Sequence, residues 1–133
     1  MYSKEDAEKE KKAWREVKMH QKFLNAFRGL KVFWLTTRNL LIHLTVSISV
    51  IILGFYFHIS SMEWIVLVFS IGFVLVTEAI NTAIEIDIDL TSPEYHPFAR
   101  DTKDVAAGAV LISVFVAILV GLIVFLPKVL ILL

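Results

Sequence analysis

The chain has 133 residues, 57% of them hydrophobic and 20% charged, with 13 basic against 13 acidic residues, no cysteine and a mean hydropathy of +0.73. That length suits one domain, and the hydropathy is higher than soluble domains carry, so a soluble enzyme is not expected. Zero net charge excludes a simple basic nucleic-acid binder, and the lack of cysteine excludes a disulfide framework, a thiolate nucleophile and a thiolate metal site.

Residues 1–13 form a polar tail that buries nothing and reads as a solvated helical start. Over 14–36, Met19, Phe23, Phe27, Leu30 and Trp34 share one helical face, while Lys18, Lys22, Arg28 and Lys31 lie off it. A basic amphipathic helix ending in Trp suits the plane of an anionic membrane surface, with Lys31 and Trp34 as the expected lipid contacts. A soluble packing helix is the plainer alternative.

Twenty-four residues between Arg38 and Glu63, and 23 between Asp104 and Lys128, contain no acid or base. At ~1.5 Å per helical residue, either run reaches the ~30 Å of a hydrocarbon core. Membrane helices are expected at 40–57, 64–85 and 105–126, with a polar segment at 86–104 in which Pro93 and Pro97 forbid a continuous helix. The small residues Ala106, Ala107, Gly108 and Ala109 permit close helix approach in lipid. Trp14, Trp34 and Trp64 read as interface anchors. Ten of the thirteen basic residues precede the first span, and Arg100 and Lys103 lie in the second connection. The positive-inside rule then puts the N-terminus and 86–104 in the cytoplasm, with the C-terminus outside. A cleavable signal peptide is not expected, because the first long apolar run begins about forty residues in. The expected fold is an all-α membrane protein with a surface helix and three transmembrane helices.

The chemistry concentrates between 78 and 89. Glu78, Asn81, Glu85 and Asp89 are spaced by three, four and four residues and fall within a helical arc of roughly 80°. Such a row is costly in hydrocarbon and must face protein or water. It would serve either to bond neighbouring helices or, as the presence of Glu78 at membrane depth favours, to carry function. Asp87 lies about 180° from Glu78 on the same wheel and is expected against solvent or a neighbouring subunit. Carboxylates at the membrane edge suit Mg²⁺ completed by phosphate oxygens, Lys103 would neutralise a phosphate, and the deeper Glu78 is placed to take a proton from a lipid hydroxyl. These parts describe phosphoryl transfer from a nucleotide to a lipid alcohol. The glycines at 29, 54, 72, 108 and 121 form no P-loop. His43, His58 and His96 have no ligand spacing and read as polar or interfacial residues.

Glu78-x-x-Asn81-Thr82-Ala83-Ile84-Glu85-x-x-x-Asp89, Pro93-Glu94-Tyr95-His96-Pro97 and Lys103-Asp104-Val105-Ala106-Ala107-Gly108-Ala109-Val110 together resemble the small prokaryotic membrane diacylglycerol kinase and undecaprenol kinase family, in wording nearer the undecaprenol kinase branch. The resemblance spans about 23–128. It implies an ATP- and Mg²⁺-dependent lipid kinase in the bacterial inner membrane, working as a homotrimer with active sites shared between subunits. By resemblance Glu78 is the general base, Asn81 its polar support and Glu85 a metal and nucleotide ligand. Glu94, Tyr95, His96, Lys103 and Asp104 match nucleotide-contacting positions. The pattern departs at Thr37, where the family carries a metal-binding glutamate, at Leu40 in place of a basic residue, at Asn25 in place of an aromatic hydroxyl, and at the extra acid Asp87. A neutral Thr37 implies either a rebuilt metal site, through Asn25 or water, or weak catalysis. Two other functions compete: a relative that binds nucleotide or lipid without turnover, and a small proton- or cation-conducting oligomer.

Overall fold

A computed structural model describes residues 3–15, 19–37 and 39–132 and, in 13–15, the backbone alone. The side chain of Trp14, and Lys18 and Arg38 entirely, lie outside the described residues. The described residues are helical with no strand, as α1 (Lys4–Arg15), α2 (Met19–Thr36), α3 (Leu40–Tyr56), α4 (Ser61–Thr91) and α5 (Pro97–Leu132). They divide into two units, 1–35 and 36–133.

In the first unit, α1 begins where Ser3 Oγ accepts from the Asp6 N–H while the Asp6 carboxylate accepts from Ser3 N. This reciprocal cap satisfies the free donors of the first turn. The polar tail is thus helix through Arg15. On α2 the stripe Met19, Phe23, Phe27, Leu30 and Trp34 is exposed, and the helix buries no residue.

In the second unit, α4 packs chiefly on α5 and more lightly on α3. α4 and α5 are each long and apolar enough to cross a bilayer, and α2 with the 17-residue α3 passes as a third only if the two form one broken span, giving two or three spans among the described residues. With these apolar helices the chain is a membrane protein.

The α3–α4 turn is closed by backbone geometry. His58 adopts φ 49°, its N–H donates to Phe55 O, and Ile59 N–H donates to Gly54 O. These two bonds form a left-handed helix cap, with Ile59 folded onto the helix it follows. Ser60 and Glu63 then cap α4 reciprocally. Gly54 is required here, since a Cβ would lie 2.7 Å from the Trp64 ring. Trp64 is half-buried against Gly54 and Phe55. Ile59, Leu67 and Val124 form the core beneath this turn, and a 2.7 Å ion pair from Lys128 to Glu63 joins α5 to the start of α4.

Both long helices outrun the expected apolar spans. α4 continues from 85 to Thr91, where Thr91 Oγ1 donates to Asp87 O, and α5 starts at Pro97 rather than 105. Proline suits a first helical position, because its missing N–H has no partner there anyway. The connection shrinks to 92–96. Of the small-residue cluster only Ala106 is buried within the chain, and Gly108 faces open space.

Candidate active site

The buried positions of α4 are Leu67, Ser70, Val74, Glu78, Asn81 and Thr82. Their spacing of three and four makes one stripe that is apolar near the α3–α4 turn and polar toward the other end. Glu78 is 4% exposed, Thr82 5% and Asn81 8%; Glu85 is half-buried, and Asp87 and Asp89 are exposed. The helix persists past Asp87, which therefore stays off the row.

With the residues that start α3, this stripe encloses a cavity of about 210 Å³ lined by Thr37, Asn39, Glu78, Asn81, Thr82 and Glu85. Asn81 Nδ2 donates to Glu85 Oε1 at 3.2 Å, which orients both side chains, while the buried Asn81 Oδ1 has no partner among the described residues. Thr37 Oγ1 and Thr82 Oγ1 share a hydrogen bond at 2.8 Å. His43 Nε2 lies 3.9 Å from Glu78 Oε1, with both side chains largely withdrawn from solvent.

A second cluster lies on the exposed side. Arg100 bonds Asp101 at 3.0 Å, reaches the Tyr95 hydroxyl at 3.5 Å and lies 4.0 Å from Asp104. His96 Nδ1 accepts from Phe98 N–H at 3.3 Å, at the start of α5, and Glu94 is exposed, its backbone carbonyl accepting from Ser92 Oγ. Lys103 Nζ is bound to Asp89, the contact that ties this cluster to the end of the carboxylate row.

The structure thus gathers Glu78, Asn81 and Glu85 at one cavity and Tyr95, His96, Lys103 and Asp104 near the first turns of α5. Lys31 and Trp34 are exposed on α2 of the first unit. Reading the sequence along one helix missed Thr82 and His43, because both matter through contacts between helices. The available signal for His43 was its position as the one imidazole near the start of a charge-free run.

The sequence model of the prokaryotic diacylglycerol kinase family matches residues 24–125. The chain is 39% identical over 106 residues to the undecaprenol kinase of Bacillus subtilis, covering 80% of this chain and 86% of that protein. It is 36% identical over 109 residues to a diacylglycerol kinase of a Synechocystis species, covering 81% of this chain and 62% of that protein. The diacylglycerol kinase of Escherichia coli K12 is 24% identical over 94 residues, 71% of this chain and 77% of the other. With that match over most of its length, and with a carboxylate-lined cavity on α4, the chain belongs to the prokaryotic diacylglycerol kinase family.

Proposed function

We propose that this protein is a lipid kinase that transfers the γ-phosphate of ATP to the hydroxyl of a membrane lipid, undecaprenol or diacylglycerol. The observation that carries the reading is Glu78, a carboxylate buried on the cavity wall of an apolar helix, in line with Asn81 and Glu85 nearer the end of α4. Glu78 takes the hydroxyl proton, the lipid oxygen bonds to the γ-phosphorus, and the bond from that phosphorus to the β–γ bridging oxygen breaks to release ADP. Asn81 holds Glu85 in place through its amide N–H. Lys103, which binds Asp89, exchanges that partner for a phosphate oxygen, and Tyr95, His96, Glu94 and Asp104 surround the nucleotide on the exposed side.

The donor set fits Mg²⁺: the Glu85 carboxylate and the unpartnered Asn81 Oδ1 are hard oxygens, and this ion commonly takes one or two carboxylates and completes its shell with water and phosphate. When bound, Mg²⁺ neutralises charge on the phosphate being transferred. Identity to relatives named undecaprenol kinase and diacylglycerol kinase supports both lipids as substrates. The family and the many exposed apolar side chains of α3–α5 favour a homotrimer with shared sites in the bacterial inner membrane.

A weakened catalyst that binds nucleotide or lipid is the second reading. It is favoured by Thr37, whose hydroxyl bonds Thr82 and brings no charge to the cavity. Phosphorylation of both lipids by purified protein in mixed micelles with ATP and Mg²⁺ separates the two. Transfer by the wild type, lost in Glu78→Gln by at least about a hundredfold, supports the kinase. Silence in the wild type with transfer by Thr37→Glu supports the weakened catalyst, and silence in both leaves binding alone.

A further inference from the structure

Glu78 is nearly inaccessible to solvent, and among the described residues its one polar contact is His43. An unpaired carboxylate in such a place is costly, and a cation within a few ångströms offsets that cost. The 3.9 Å separation exceeds a hydrogen bond but is within ion-pair range. The alignment of helices produces the pair: His43 stands in the first turn of α3, and Glu78 on the α4 stripe that faces the same cavity.

Among the described residues, His43 is the one polar group placed to pair with Glu78. From Leu40 to Tyr56, α3 carries no Asp, Glu, Lys or Arg, and its other titrating group is Tyr56 at the far end. On α4, Glu85 and Asp89 lie two and three turns beyond Glu78, bound respectively to Asn81 and Lys103. On α5 the charged side chains are Arg100, Asp101, Lys103 and Asp104 near the start and Lys128 near the end, and among the described residues none pairs with His43 or Glu78.

We propose that His43 is a positioning residue for Glu78, its imidazole fixing the carboxylate on the cavity wall at the start of α3. The catalytic part of this inference rests on the kinase reading, in which Glu78 is the base; the pairing itself does not.

Two measurements test it. In the first, kcat is followed from pH 5 to 9 for the wild type and His43→Gln, whose amide hydrogen-bonds but does not titrate. The expected result is a kcat lowered about tenfold, with KM for lipid and ATP within about twofold and the acid limb of the profile moved. A uniform loss at every pH, with the limb unmoved, overturns the proposal. The second needs no turnover. In a full-length chain carrying His20→Gln, His58→Gln and His96→Gln, the remaining imidazole is followed by ¹⁵N NMR with and without Glu78→Gln. Removal of the carboxylate is expected to change the titration midpoint by at least about half a pH unit, since the two side chains are in contact. An unchanged midpoint overturns the pairing, whether or not His43→Gln folds. A shifted midpoint in a protein that phosphorylates no lipid would uphold the pair while the kinase reading fell.

Discussion

Glu63 shows how one side chain serves two structural ends. Its carboxylate accepts from Lys128 at 2.7 Å and from Ser60 N–H at 2.7 Å, and these bonds, that from Lys128 foremost, hold it from its ordinary 4.5 down to about 2. A carboxyl depressed in the folded state stabilises fully above its unfolded value, and that contribution is lost as pH falls from about 4.5 toward 2. The melting temperature of detergent-solubilised protein should therefore drop across this window, and drop less in Glu63→Gln. Equal slopes for the two proteins would remove Glu63 from the account. None of this was legible beforehand, because Glu63 and Lys128 stand 65 positions apart. The Thr37–Thr82 bond was hidden for the same reason: spacing within a helix says nothing about which residue of another helix lies opposite.

Among the elements, the α3–α4 corner is the tightest. Gly54→Ala would drive a Cβ to 2.7 Å from the half-buried Trp64 ring and should cost about 1–3 kcal/mol, read as a lowered melting temperature. His58→Gly should act in the opposite direction by about 1 kcal/mol, because the left-handed conformation at His58 strains any residue with a Cβ. The sequence showed that a turn lies here and that Trp64 borders an apolar run, but the close contact between Gly54 and Trp64 depends on folding. For α4 and α5, apolarity identified the spans and period identified the row at 78, 81 and 85. It did not show where the helices end, since helix continues into polar surroundings wherever capping and spacing permit, as Asp87 to Thr91 and Pro97 to Asp104 do.

At the scale of the whole molecule, the distribution of basic residues makes a topological claim that the cysteine-free sequence makes easy to test. Single cysteines at Ser3, Met62 and Pro93 would be exposed in intact spheroplasts to a membrane-impermeant maleimide. Labelling of Met62→Cys alone is expected if α3 and α4 both cross and the N-terminus and 92–96 share the cytoplasm. Joint labelling of Ser3→Cys and Met62→Cys would mean that α3, at 17 residues, does not span. The carboxylate row would then open to water differently, and the proposed route for the lipid hydroxyl would need revision.

The unbroken run of α4 acts as a ruler. Glu78 and Asp89 are eleven residues apart on one rigid rod, which separates them by roughly 16 Å along its axis. The buried carboxylate of Glu78 and the Asp89 that binds Lys103 are thus held at a fixed spacing that no hinge can absorb. One residue inserted between Thr82 and Glu85 would turn the far part of the row by roughly 100°, carrying Glu85 and Asp89 away from the cavity face. Seven inserted residues would restore the facing direction but lengthen the gauge by roughly 10 Å. The distance from the cavity to the Lys103 cluster is in this sense written into the helix as a length.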